Sequence, residues 1–249
     1  MPDLTLVEVN KSFGGLRATS NVSMVVETGE VHALIGPNGA GKTTLVNLNT
    51  GRLRADAGSI RLGNEDIHLL TPQARVRKGV VRTFQVTNLF GRFCAWENIA
   101  LAVAERRRLA LGLTFPRGFT DDVADEAEGI AQQAGLGACA DKPASELSYG
   151  QQRLLEIAIA LALKPKVLLL DEPAAGLPAA DHHIISNVIS AMAPEVAVLL
   201  IEHDMDLVFS LADTVTVLNE GAVLSSGPPE LVRQDPQVKA AYLGTLHDD

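Results

Sequence analysis

The 249-residue sequence has only two cysteines, Cys94 and Cys139. Two cysteines make neither a disulfide framework nor the clustered spacing of a metal site, so the chain reads as a reduced-thiol, cytosolic-type protein. Long apolar runs are also missing. Stretches such as "IAIALAL" fall far short of the ~20 residues a membrane span needs, so any membrane role has to come through a partner. The opening "MPDLTLVEVN" lacks a basic segment followed by an apolar one, which predicts no signal peptide. Positive charge is in deficit, with 21 Lys+Arg against 30 Asp+Glu and a net charge of -9. No global basic field is there to attract nucleic acid. No internal repeat or low-complexity tract stands out.

What is present is enough apolar material, 47% of residues, for one large domain or a core with an inserted subdomain. "LTLVEV", "VSMVV" and "VHALI" read as strands, followed by a helix from Lys42 toward Asn49. "SIRL" and "VVRTF" look like further strands. From about Val86 to Lys164 the pattern turns helical, with "AWENIALAVAERRR", "DDVADEAEGIAQQAG" and "YGQQRLLEIAIALAL" around a Gly/Pro-broken loop. Strands and helices then alternate again through "VLLLD", "VAVLLI", "TVTVL" and "AVLSSG". Apolar strands separated by helices predict an α/β fold with a mostly parallel sheet covered on both faces. The expected organisation is a single domain over 1–249, with an α/β core at 1–86 and 165–249 and a helical subdomain inserted at 87–164.

"GPNGAGKTT", Gly36 to Thr44, fits G-x-x-x-x-G-K-[ST] and sits between a strand and a helix. Glycines let the backbone curl until successive N–H groups face one anion, and the helix N-terminus adds its positive end. Gly36, Pro37, Asn38, Gly39, Ala40, Gly41, Lys42, Thr43 and Thr44 are the candidate phosphate-binding residues. Lys42 can reach the β- and γ-phosphates, and the Thr43 hydroxyl can ligate Mg²⁺. "VLLLDEP" supplies the acids such a site needs. Asp171 ends the strand, where it can hold Mg²⁺. Glu172 can point at the γ-phosphate and act as general base.

"LSYGQQ", Leu147 to Gln152, resembles the signature of ABC-type ATPases, with Tyr149 at the variable third place. Together with the phosphate loop and "VLLLDEP" it makes a specific match, the resemblance covers essentially the whole chain, and it implies further roles. Phe13 in "KSFGG" stands where the family stacks an aromatic on adenine. Gln85 in "RTFQ" stands at the Q-loop, between the core and the helical insertion, which implies a catalytic and Mg²⁺-binding role. His203 in "LLIEHD" stands at the switch histidine beside the γ-phosphate. Ser148, Gly150 and Gln151 would face the ATP held by another chain. Ser148 is also a good N-cap for the helix starting near Tyr149. The implied cofactors are ATP and Mg²⁺. The implied partners are a second ATP-binding subunit, in a homo- or heterodimer, and integral membrane permease subunits that bring in a solute-binding protein, at the cytoplasmic face of the inner or plasma membrane. "RTFQVTNLF", "DEPAAGL" and "GPPELVRQDPQVKAAYLG" are similar to ATP-binding subunits of branched-chain amino-acid and amide importers. "NLFGRFCAW" offers Leu89, Phe90, Phe93 and Trp96 either as contacts for a membrane subunit or as packing of the helical subdomain.

The sequence departs from the family after Glu172. The family carries Asp or Asn just beyond Ala-Gly-Leu; here Pro178 follows Leu177 directly. Pro178 has no N–H to donate. Asp181 comes three residues late and is expected at the start of the next helix, so contact between two ATP sites should be weakened. Ile159 stands where relatives often carry Arg. The competing readings are a soluble ABC ATPase acting on DNA or ribosomes, and a regulator without turnover. The acidic balance and the missing long insertions oppose the first, and Glu172 with His203 opposes the second.

Overall fold

The computed structural model describes residues 3–83, 89–109, 119–178 and 181–244. They fall into two compact units. One comprises Met1–Val81, Lys166–Glu172 and Met192–Asp249, the other Arg82–Pro165 and Pro173–Ala191.

The first unit holds two sheets. Strands β1 (Leu4–Phe13) and β2 (Leu16–Val26) form a hairpin. With β4 (Ala57–Leu62) and β5 (Glu65–Asp66) they make a four-stranded antiparallel sheet in the order β2-β1-β4-β5. One face is apolar, carrying buried Leu4, Leu6, Val22, Met24, Ile60 and Leu62, as period-two alternation requires. The second sheet has the order β10-β9-β3-β8-β7-β6. Its centre is β3 (Val31–Ile35), β8 (Ala197–Ile201) and β7 (Val167–Asp171), flanked by β9 (Thr214–Asn219) and β6 (Val80–Val81–Arg82). The pairs β3–β8, β3–β9 and β7–β8 are parallel, and β10 (Ala222–Gly227) closes one edge antiparallel to β9. Every residue of β3, β7 and β8 is buried, which explains their nearly unbroken apolar sequences. Each fully buried Leu, Val or Ile side chain contributes about 1.5–3 kcal/mol over exposure. Register places the site: Leu34 and Asp171 both lie level with Ile201. The chain therefore leaves β3, β7 and β8 at one edge, the carboxyl ends where open α/β sheets bind ligands.

The helices of this unit are α1 (Lys42–Asn49), α2 (Pro72–Lys78), α7 (Met205–Leu211), α8 (Pro229–Gln234) and α9 (Pro236–Gly244). The second unit is helical. α3 (Ala95–Arg106), α4 (Asp121–Gln133) and α5 (Tyr149–Ala162) pack on one another, and α6 (His182–Met192) follows Asp181. In α3, buried Asn98 pins the preceding loop. Its Nδ2 donates to the carbonyls of Phe90, Phe93 and Cys94, and its Oδ1 accepts from the Phe90 N–H.

The C-terminal end of α1 is held by a cation. Arg75, on α2, is 1% exposed. Its guanidinium donates to the carbonyls of Leu48 (2.6 Å), Asn49 (2.8 Å), His68 (2.8 Å) and Leu70 (3.3 Å). Positive charge at a helix C-terminus is favourable, and the planar fork reaches several carbonyls at once. Burial lowers its pKa to about 10, and attraction to Asp66 opposes that. Arg75→Met should cost roughly 2–4 kcal/mol, because several buried carbonyls lose their donor together. Urea unfolding checks this; a loss below about 0.5 kcal/mol, the scale of an ordinary surface substitution, would show that α1 does not depend on this cap.

Candidate functional site

β3 runs straight into the loop that opens α1. Gly36 and Gly41 have φ of +150° and +103°. A Cβ on Gly36 would lie 2.2 Å from the Leu218 carbonyl oxygen, and one on Gly41 would lie 2.3 Å from that of Ala18. Only glycine fits either place. The loop is tied down elsewhere too. Ala40 N–H donates to the Pro37 carbonyl, the Ala40 carbonyl accepts from Gly221 N–H at 3.0 Å, and Leu45 N–H donates to the Gly41 carbonyl at 2.9 Å. From α9, Tyr242 packs on the cluster around Ile35, Val215 and Val217. Burial raises its pKa to about 12, while the Gly36 backbone N–H facing its hydroxyl opposes that rise.

Lys42 folds back over this loop. Its Nζ donates to the carbonyls of Gly36 (2.5 Å) and Pro37 (3.0 Å). Burial lowers its pKa, and attraction to Glu172 and Asp171 works the other way. A partly desolvated ammonium at the start of α1, the helix's positive end, suits a polyanion. Asp171 is 5% exposed at the end of β7. Glu172 follows with φ +50°, an uncommon left-handed value for a non-glycine residue, and its N–H donates to the Ile201 carbonyl at 2.8 Å. After β8 comes buried Glu202, whose carboxylate accepts from the His203 N–H at 3.1 Å. The exposed His203 ring places Nδ1 4.0 Å from Glu172 and 3.8 Å from Glu202. Asp204 caps α7 by accepting from Leu207 N–H. A carboxylate at Glu172 can take a proton from water, and an imidazole beside it can steer a phosphate oxygen.

This arrangement has close counterparts. A model of the ABC transporter family matches residues 19–175, and one described as branched-chain amino acid ATP-binding cassette transporter matches residues 222–248. The chain belongs to the ABC transporter family. It is 43% identical, over 98% of each chain, to the high-affinity branched-chain amino acid transport ATP-binding protein BraF of Pseudomonas aeruginosa. To the LivG protein of Escherichia coli, which carries the same description, it is 40% identical over 98% of each chain. Among solved structures, an ATP-binding cassette of an ABC transporter in its ADP conformation aligns with a TM-score of 0.86 and 33% identity, over 98% of this chain and 99% of that one. Family membership establishes the P-loop ATPase fold, ATP binding and ATPase activity expected from the motifs.

Phe13 ends β1 with its ring 47% exposed and Lys11 Nζ 5.6 Å from the ring centroid. Gln85 lies outside the described residues. In the helical unit, Ser148 is the N-cap of α5: its Oγ accepts from Gln151 N–H at 3.3 Å, while Gln151 Oε1 accepts from Ser148 N–H at 3.0 Å. This reciprocal cap leaves the first-turn N–H groups at the helix's positive end. Phe90 and Phe93 are exposed and pack on each other at 5.6 Å, and Trp96 meets Phe119 edge-on. Asp181 directly precedes α6, as the sequence suggests. Residue-by-residue reading missed Arg75 and Tyr242, whose partners include residues far away in sequence, and Glu202, which directly precedes the expected His203.

A cavity of about 500 Å³ lies at the opposite end of β3, lined among others by Glu30, His32, Asp213 and Thr214. Burial disfavours the Glu30 carboxylate, yet hydrogen bonds from His32, Thr214 and Glu27 N–H bring its pKa down to about 2. It shares no residue with the phosphate loop.

Lys42→Met should weaken ATP binding about 10- to 100-fold, the scale of a lost charge-assisted contact. The melting temperature without nucleotide should hold or rise, since a desolvated ammonium is removed. Nucleotide titration with thermal melts checks both; unchanged ATP affinity would contradict this placement of Lys42.

Proposed function

We propose that this chain is the ATP-hydrolysing subunit of an importer for branched-chain amino acids or related amides, working at the cytoplasmic face of the membrane against permease subunits. Among the described residues no helix is long and apolar enough to cross a membrane, in keeping with a subunit that depends on membrane partners. Support for the solute class comes from the full-length similarity to branched-chain amino acid transport proteins and from the matching C-terminal segment. A periplasmic or surface solute-binding protein would present the solute to the permeases.

The division of labour follows the motifs. Residues 1–86 and 165–249 bind nucleotide, and 87–164 carry the signature. ATP lies with its phosphates in the Gly36–Thr44 loop, Lys42 on the β- and γ-phosphates and adenine on Phe13. Mg²⁺ would be held by the hard oxygen donors Thr43 and Asp171, and buried Asp171 already attracts the cation of Lys42; the family resemblance implies Gln85, outside the described residues, as a further ligand. When bound, the ion neutralises phosphate charge. Glu172 accepts a proton from the water that attacks the γ-phosphorus, the bond to the β-phosphate oxygen breaks, and His203 steadies the γ-phosphate. Ser148, Gly150 and Gln151 complete the ATP site of a second subunit, in a head-to-tail dimer that closes on ATP and opens after hydrolysis. Exposed Phe90 and Phe93, held by Asn98, are the surface offered to a permease helix.

One observation carries this reading: Glu172 and Asp171 leave β7 where both act on the Lys42 ammonium, with the His203 ring beside Glu172. Glu172→Gln should keep ATP binding and lower turnover by about 10²–10⁴-fold, the range for a positioned general base. Steady-state ATPase measured beside an inactive Lys42→Ala control checks it. Near-normal turnover in Glu172→Gln would remove Glu172 from this role.

A further inference from the structure

Tyr149 occupies the third place of the signature, and its surroundings give it a task. It begins α5 one residue after Ser148. Arg153, one turn later, sets its guanidinium 5.2 Å from the Tyr149 ring centre and donates from Nη2 to the Tyr149 hydroxyl at 2.8 Å. Arg153 is fixed in turn by Glu156, with Nη1 2.9 Å from Oε2, and both side chains are buried. A paired, buried guanidinium stacked on a ring is a stiff support. The Tyr149 ring itself is 45% exposed, so the support presents the ring rather than burying it.

What the ring meets is the turn after Pro173. Gly176 there has φ +78°, and a Cβ on it would lie 3.0 Å from Tyr149 Cε1 and 3.2 Å from the hydroxyl. The next residue does the reverse: a Cβ on Gly150 would lie 3.0 Å from Leu177 Cδ2. Two large side chains thus each rest on a glycine of the other segment. The turn is closed by Leu177 N–H donating to the Ala174 carbonyl at 3.0 Å, and His182 Nε2 stands 3.3 Å from the Leu177 carbonyl oxygen. Pro173 is bonded directly to Glu172.

We infer that Tyr149 is a positioning residue: held by Arg153 and Glu156, its ring seats the turn Pro173–Pro178 against the first turn of α5. The segment leaving Glu172 and the residues Ser148 and Gly150 are then located by one contact. This rests on the roles proposed above for Glu172 and Ser148. A shift of the turn, started at Glu172, has to move the start of α5 or break the Tyr149–Gly176 contact.

The test uses the full chain with Tyr149→Ala and Tyr149→Phe. Amide hydrogen exchange is followed on the monomer, and ATP-driven dimerisation by sedimentation in the Glu172→Gln background. In Tyr149→Ala, exchange at Leu177 should speed up at least about tenfold, as local opening requires, while Leu45 in α1 is unchanged and monomer ATP affinity stays within about twofold. The ATP-dependent dimer should weaken about tenfold, a coupling of about 1.4 kcal/mol. Tyr149→Phe keeps the ring and should restore most of both. Unchanged exchange at Leu177 in Tyr149→Ala overturns the inference, and so does acceleration spread evenly over the chain. If the Glu172→Gln chain with intact Tyr149 fails to dimerise on ATP, head-to-tail pairing of two copies of this chain falls, and the exchange measurement alone still decides Tyr149.

Discussion

At Gly36 and Gly41 the phosphate loop touches backbone that belongs to other strands, the Leu218 carbonyl of β9 and the Ala18 carbonyl of β2. The approach is too close for any side chain, so the loop's shape is set by two separate sheet elements before a ligand arrives. The β9–β10 turn adds a hydrogen bond from Gly221 to Ala40 and another that accepts from Ser20 at 2.7 Å. A cradle held this way loses little entropy when an anion enters it, which is how preorganised donors gain affinity. The parallel register then brings Asp171, Glu172, Glu202 and His203 out at the same edge of the same sheet.

Charge balance follows from that constraint. Lys42 is partly stripped of water and donates to two carbonyls of its own loop. Two acids lie within range of it, and one buried acid, Glu202, stands beside His203. In the proposed function, phosphates entering beside Lys42 offset that loss of water. At the other end of α1 the buried Arg75 guanidinium answers the helix carbonyls, so the helix that presents Lys42 and Thr43 is anchored at its far end as well.

The sequence made the local chemistry legible and left the long-range supports hidden. "GPNGAGKTT", "VLLLDEP" and "LSYGQQ" encode their geometry in consecutive residues, so loop, acids and N-cap stand where the motifs put them. The buried parallel strands were equally readable, because burial on both faces leaves a nearly unbroken apolar run. β5, α2, α8 and α9 went unread. They are short, although Thr71-Pro72, Pro228-Pro229 and Asp235-Pro236 each place proline at a helix start, a usable signal. Arg75, Tyr242 and the Tyr149–Gly176 contact could not be read at all, since each joins residues from separate stretches. Pro178 reads clearly as a departure, and the turn it ends is nonetheless closed and seated on α5.

In the proposed function each ATP site is built from the phosphate loop of one chain and the signature of another. Mixing a Lys42→Ala chain with a Ser148→Arg chain tests it directly, because the two defects then fall in the same site of a mixed dimer and leave the other site whole. Each variant alone should be nearly inactive. An equal mixture should recover about a quarter of the unmodified activity, as half the dimers are mixed and each keeps one site of two. A mixture as inactive as its parents, with mixed dimers present by light scattering, would contradict the shared site.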